Sequence, residues 1–248
     1  MSATTDPAAL VPVALEVAAE FGVELGEPFA LSRHSYVASA GEDAVLKVTP
    51  PEDDESYEEA EALDLWAGDG AVRLLRRDPE RRVLLLERVR PGTDLSELPE
   101  DEATAIAVEV GRWLWRPAAE PFRWIGDWVP RWLAAAPSEL TPLALELYDS
   151  LDVGRSTLIH GDFHHQNILD AGGRHVAIDP KPMLGEPEYD IPSFLWNPLP
   201  CRLRVEHLES RLAAFAAAGL DEERMRKWTV IRGAYLQPQE ADTLRTLV

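Results

Sequence analysis

The chain has 248 residues, 46% of them apolar, too long for a peptide-sized fold and too apolar for wholesale disorder, which leaves one large domain or two unequal lobes. Acidic residues outnumber basic ones by 44 to 24, a net charge of −20, and that field repels nucleic acid and anionic bilayers as partners. Cys201 is the single cysteine, which excludes an internal disulfide or a thiolate zinc site; with no basic leader and no apolar run of membrane-spanning length, this predicts a cytoplasmic protein.

In chain order, residues 8–21 place Leu10, Val13, Leu15, Val17 and Ala18 in a helical pattern that Gly22 ends. From Phe29 the texture turns to β. Tyr36 and Val37, a turn over residues 40–43, and the run AVLKV at residues 44–48 predict a hairpin. Pro50 and Pro51 break the strand, and seven acids between Glu52 and Glu61 precede Leu63, Leu65 and Trp66, which complete a helix. Residues 82–89, RVLLLERV, read as a buried strand. Residues 1–88 are therefore expected to form a small antiparallel sheet with one helix laid against it, preceded by an N-terminal helix.

Beyond Arg90, Pro91 and Gly92 the balance shifts to helices, so residues 89–248 are expected to form a larger, mostly helical lobe in an α+β fold. Ile106, Val108, Val110, Trp113 and Leu114 line one helix, Trp128, Trp132 and Leu133 a second, and residues 143–151 a third. Ile168 and Leu169, then residues 176–178, flank a second tight hairpin turn at residues 170–173, and two helices over residues 202–218 and 222–235 close the chain. The tryptophans Trp113, Trp115, Trp124, Trp128 and Trp132 read as core or interlobe packing.

Chemistry concentrates in LIHGDFHHQNILDAGGRHVAID, residues 158–179, where His160, Asp162, His164, His165, Asn167 and Asp179 surround the second hairpin. Asp162, Asn167 five residues on, and Asp179 beyond a strand pair match a phosphoryl-transfer template. In that template one carboxylate orients the attacking hydroxyl and accepts its proton, while an amide oxygen and a second carboxylate hold magnesium against the nucleotide phosphates. Gly161 stands where protein kinases carry arginine. The template also requires a strand lysine held by a helix glutamate. Lys47, the only lysine before Lys181, lies in AVLKV, and Glu59 is the first choice of partner, with Glu61 second. Backbone groups of Glu87 and Val89 would meet adenine where the chain crosses between lobes. The stretch expected over the phosphates, LSRHSY at residues 31–36, carries no glycine; Ser35 would supply a hydroxyl and Arg33 or His34 a charge. A different chemistry fits part of the same stretch, because His160, Asp162 and His164 have a spacing that presents three ligands to a transition metal.

The segments HGDFHHQNIL and AIDPKPMLGEPEYDIPSFLWN, together with AVLKV, EEAEALDLW and LLLERVRPG, resemble the aminoglycoside and hydroxyurea phosphotransferase family, in particular its streptomycin 6-kinase-like branch. The resemblance runs from Leu31 to Trp228. It implies a two-lobed protein-kinase-like fold and transfer of the γ-phosphoryl group of ATP, or GTP, to a hydroxyl of a small cationic or sugar-like acceptor such as an antibiotic. By that resemblance Asp162 is the catalytic base, Asn167 and Asp179 are magnesium ligands, and Lys47 binds phosphate. The D-P-K of Asp179, Pro180 and Lys181 stands for the protein-kinase D-F-G, which turns the expectation from a protein substrate to a small molecule. Glu186, Asp190 and Trp196 are candidates to meet the acceptor, Asp190 read by preference as an anchor holding the catalytic loop by backbone hydrogen bonds. Lys181 either neutralises the transferring phosphate or pairs with Glu186. Two alternatives stay open at this point: a kinase-like nucleotide or metabolite binder with weak chemistry, and a metal-dependent hydrolase built on His160, Asp162 and His164.

Overall fold

The computed structural model describes residues 6–29, 35–53, 57–198 and 205–248. Arg33, His34, Cys201 and the first residues of the helix expected from Arg202 lie outside the described residues. Helix α1 (Val11–Phe21) follows a 3-10 turn at Pro7–Leu10 and ends at Gly22, whose φ of +73° lets its amide reach the carbonyls of Ala18 and Ala19. Strands β1 (Leu25–Pro28), β2 (Tyr36–Ala40) and β3 (Ala44–Val48), helix α2 (Glu59–Trp66), and strands β4 (Leu74–Asp78) and β5 (Val83–Glu87) come next. The strands form one antiparallel sheet in the order β1-β2-β3-β5-β4.

Alternation along β3 decides where Lys47 goes. Ala44, Leu46 and Val48 pack with Ala14, Val17 and Ala18 of α1 and with Val83 and Leu85 of β5, which sends Lys47 to the opposite face. There Leu84 and Leu86 meet Ala62, Leu63 and Trp66 of α2. The sheet thus carries a helix on each face, and β5 reads as an unbroken apolar run because it is covered twice. Strands β1 and β4 escaped the sequence pattern because they are the two edges: β4 exposes Leu75, Arg76 and Arg77, and β1 contains Gly26 and a terminal Pro28.

The second lobe comprises α3 (Glu100–Leu114), β6 (Arg116–Pro117), α4 (Val129–Ala135), α5 (Thr141–Asp149), β7 (Thr157–Ile159), the hairpin β8 (Ile168–Asp170) and β9 (His175–Ala177), β10 (Met183–Gly185), α6 (Ile191–Leu195), α7 (Val205–Ala217), α8 (Glu222–Leu236) and α9 (Ala241–Arg245). Helix α8 is its axis, packed against α5, α6, α7 and α9. Met225 and every residue from Trp228 to Ala234 are buried there, so this helix lacks the one-sided stripe of a surface helix. Buried Arg211 of α7 stitches the lobe together. Its guanidinium donates to the carbonyls of Phe194 and Leu195 at the end of α6, to that of Asn197 just beyond it and to Glu100 at the start of α3, satisfying orphan carbonyls with a charge of the favourable sign.

The short sheet β10-β7-β6 and the β8-β9 hairpin carry the loops of interest to the front of this lobe. The hairpin also meets the first lobe: Val72 N–H donates to the Ala177 carbonyl (3.0 Å), Ala177 N–H to that of Gly70 (2.8 Å), and Arg174 to that of Gly68 (2.7 Å). Among the described residues no helix is long and apolar enough to cross a membrane.

Candidate active site

Lys47 joins the two lobes. Its Nζ lies 2.8 and 2.7 Å from the carboxylate oxygens of Glu59 and also donates to Asp179 Oδ1. Lys47 and Glu59 are 5% and 2% exposed, whereas the Asp179 side chain is 52% exposed. Burial would favour loss of the Lys47 proton, but the charges of Asp179 and Glu59 outweigh it and hold the ammonium above its usual range. Burial pushes Glu59 up to about 7, the charge of Asp179 adding to that effect and Lys47 opposing it. At Asp179 desolvation works against ionisation, yet the charge and hydrogen bond of Lys47, assisted by Lys181, hold the carboxyl below its ordinary range. Two carboxylates share one ammonium here. A divalent cation on Asp179 and phosphates on Lys47 would balance the group.

The backbone around Asp179 is specialised. Its φ of +54° is left-handed, a conformation aspartate tolerates better than most residues. The preceding amide, Ile178 N–H, stays on the Asn167 carbonyl at 2.9 Å while the Asp179 side chain reaches Lys47.

Opposite stands the loop that follows β7. Asp190, fully buried, accepts from His160 N–H at 2.8 Å, Gly161 N–H at 2.7 Å and Trp115 Nε1 at 2.9 Å. The His160 ring is neutral, its pKa lowered chiefly by burial. Its Nδ1 accepts from Asp162 N–H at 3.3 Å and its Nε2 donates to the Ile178 carbonyl at 3.1 Å. Both ring nitrogens are therefore committed to backbone. Arg232 of α8 supports the same loop from below, donating to the carbonyls of Gly161 (3.2 Å) and Tyr189 (2.8 Å).

Gly161 has no substitute. Its φ is +82°, and a Cβ there would lie 2.1 Å from the Lys181 carbonyl oxygen, while Lys181 N–H donates to the His160 carbonyl at 2.8 Å. The arginine of protein kinases cannot fit against this strand of backbone. Gly161→Ala is expected to lower unfolding free energy by about 2–4 kcal/mol and to reduce turnover with it, which urea denaturation of the variant checks.

Asn167 Nδ2 donates to the Asp162 carbonyl at 2.9 Å, leaving Asn167 Oδ1 without a protein partner among the described residues. Burial opposes ionisation of Asp162, but the His164 imidazole, 3.6 Å from Oδ2, together with Lys181, holds the carboxyl well below its usual range. The Asn167 amide oxygen and the Asp179 carboxylate form a hard oxygen donor set that fits magnesium carrying a nucleotide's phosphates. The hydrolase reading fails. Among the described residues no group of three or more His, Cys, Asp or Glu could hold a metal ion, and His160 has no nitrogen to spare.

At the crossing between lobes, Glu87 N–H is taken by the Arg73 carbonyl and Arg88 N–H by that of Asp43. Val89 N–H has no partner among the described residues. The Glu87 side chain accepts from Arg73 N–H at 3.1 Å and from Arg174 of the hairpin at 3.3 Å. Ser35 is buried at the start of β2. Glu61 pairs with Arg77 at 2.8 Å on the outer surface and does not reach Lys47.

Two of the three acceptor candidates are closed off by their own partners. Glu186 accepts from Arg224 at 2.9 and 2.5 Å, from Trp228 Nε1 at 2.6 Å and from Gly154 N–H at 3.5 Å. Asp190 holds the catalytic loop, as above. Trp196 is buried, its ring 5.9 Å from the Arg232 guanidinium. The sequence reasoning passed over Trp115 and Arg232 as parts of this site. The spacing of an arginine in an unpatterned helix carried no signal, and Trp115 read as one core tryptophan among several.

Comparison with known proteins agrees with this geometry. The sequence profile of the aminoglycoside/hydroxyurea antibiotic resistance kinases matches residues 27–237. The chain belongs to that family. A hydroxyurea phosphotransferase of Kitasatospora aureofaciens is 35% identical over 215 residues, 79% of this chain and 62% of the relative. A streptomycin 3''-kinase of Klebsiella pneumoniae is 32% identical over 206 residues, 75% of this chain and 76% of the relative. The chain thus spans less than two thirds of the first of these relatives. In fold, the choline kinase LicA of Streptococcus pneumoniae superposes with a TM-score of 0.65 at 12% identity, covering 97% of this chain and 90% of that one. The kinase-like two-lobed architecture expected from the sequence is thereby established for this member of the aminoglycoside/hydroxyurea kinase family.

Proposed function

We propose that this family member transfers the γ-phosphoryl group of ATP to a hydroxyl of a small, cationic or sugar-like acceptor, with residues 1–88 as the nucleotide lobe and 89–248 carrying the catalytic loop and acceptor pocket. The observation that carries the reading is the meeting of the Lys47 ammonium with Glu59 and Asp179 across the lobes, facing Asp162 and Asn167 on the adjoining loop. Val89 N–H is free to meet adenine, and Lys47 exchanges Asp179 for the α and β phosphates when nucleotide enters. Asn167 and Asp179 would hold magnesium, which would supply positive charge to the nucleotide's phosphates. Asp162 orients the acceptor hydroxyl and receives its proton. The acidic surface draws a cationic acceptor and repels nucleic acid, and an ATP-dependent chain with a single cysteine suits the cytoplasm.

The test is a phosphorylation screen with magnesium and ATP or GTP over streptomycin, other aminoglycosides, amino sugars and hydroxyurea, read by mass spectrometry. A product heavier by one phosphoryl group supports the reading; nucleotide binding with no product for any acceptor replaces it with the binding-module alternative. A second expectation concerns the metal. Asp179→Asn should weaken calorimetric binding of ADP in magnesium by more than about tenfold while leaving metal-free ADP binding as strong or stronger, because Lys47 loses a competing carboxylate.

A further inference from the structure

We propose that Lys181 is a further catalytic residue of this site, its ammonium bound to the phosphoryl group while that group passes from nucleotide to acceptor; the proposal rests on the phosphotransferase reading above.

Its position is set by backbone. Lys181 N–H donates to the His160 carbonyl at 2.8 Å, and the Lys181 carbonyl and Cβ lie 2.1 and 3.2 Å from where a Cβ on Gly161 would be. Lys181 is therefore packed against the residue that precedes Asp162, and it follows Asp179 by two positions. The side chain is half-buried, and its charge acts on both Asp162 and Asp179. The other carboxylate within sequence reach, Glu186, is filled by Arg224, Trp228 and Gly154 N–H. Arg232 is committed to the carbonyls of Gly161 and Tyr189. Lys47, on the first lobe, is held by Glu59 at the α and β phosphate position.

Composition points the same way. The chain has 24 basic residues, yet its only lysines are Lys47, Lys181 and Lys227. Lys227 makes a surface pair with Glu223 at 2.8 Å, so the other two both belong to the neighbourhood of Asp179, Lys47 bonded to it and Lys181 two residues beyond it, in a protein that otherwise uses arginine. A compact ammonium with rotatable donors follows a moving phosphoryl group more closely than a planar fork does.

In the transfer, the acceptor oxygen bonds to the γ phosphorus as the bond from that phosphorus to the β–γ bridging oxygen breaks, and that electron pair leaves with ADP. The hydroxyl proton passes to the Asp162 carboxylate. Lys181 gives up no proton; its charge meets the equatorial oxygens, where negative charge spreads in the transition state.

The experiment compares wild type, K181M, K181Q, K181R and the surface control K227M. Readouts are phosphoryl transfer to the acceptor found by the screen, slow magnesium-ATP hydrolysis with water in the acceptor's place, calorimetric binding of magnesium-ADP, and urea unfolding. K181M should lose about a hundredfold in kcat for both reactions while KM for ATP and Kd for magnesium-ADP move less than about twofold, and K181R should recover about tenfold or more of the loss. K227M should match wild type. K181Q replaces K181M if the latter does not fold. Turnover of the neutral variant within about threefold of wild type, a loss residing wholly in magnesium-ADP binding, or an arginine variant no better than methionine each overturns the role of Lys181 and leaves the phosphotransferase reading standing. A wild-type chain that neither binds magnesium-ADP nor hydrolyses ATP overturns both.

Discussion

Asp162→Asn is expected to cut phosphoryl transfer by about two to four orders of magnitude while magnesium-ATP still binds within about threefold of wild type. The split follows from what Asp162 touches. Its backbone carbonyl receives Asn167 Nδ2 and its amide is held by His160, so the loop keeps its shape when one carboxylate oxygen becomes an amide. The residues proposed to anchor the nucleotide, Lys47, Glu59 and Asp179, are untouched. What is lost, on the proposed reading, is an acceptor aimed at the attacking hydroxyl. Because the site holds Asp162 below its ordinary pKa, the proposed role is orientation first, with the proton taken late, after bonding to phosphorus has acidified the hydroxyl, in keeping with a loose transition state. Stopped-flow nucleotide binding beside steady-state turnover measures both halves. Turnover within about tenfold of wild type would remove Asp162 from the chemistry, since orientation and proton acceptance together carry more than that.

How much of this was legible in the chain follows the range of the forces involved. Local pattern sufficed where one stretch carries its own signal. The run AVLKV marked the strand that carries Lys47, the Gly172 and Gly173 turn marked the hairpin β8-β9, and the interval from Asp162 to Asn167 marked the loop between β7 and β8. Pattern failed where a segment is defined by what lies beside it. Strands β6, β7 and β10 are two or three residues long, too short for a period, and exist because they pair with one another. Helix α8 was legible as an element over residues 222–235, but the burial of every residue from Trp228 to Ala234 leaves no one-sided stripe to show what it packs against. Partners distant in sequence were equally hidden. Nothing near Glu186 reveals that Arg224 and Trp228 will close on it 38 and 42 residues later, so a carboxylate that reads as an acceptor contact becomes a buried pair.

Asp190 carries the largest structural expectation. Asp190→Ala removes the common acceptor of three donors, His160 N–H, Gly161 N–H and Trp115 Nε1, at a fully buried position. Leaving such donors unpaired, even after crediting the removal of a buried charge, is expected to cost about 3–5 kcal/mol. The damage would also reach the chemistry, because two of the three donors are the backbone amides immediately before Asp162. Trp115→Phe separates the two effects. It deletes one donor and keeps the aromatic packing on Phe163, so it should cost about 1 kcal/mol and leave kcat within about threefold, since both loop amides stay paired. Urea unfolding and turnover on the two variants make the comparison. If Trp115→Phe lost as much turnover as Asp190→Ala, the carboxylate would be serving the indole rather than the loop, and the geometry of Asp162 would have to be held by His160 and Arg232 alone.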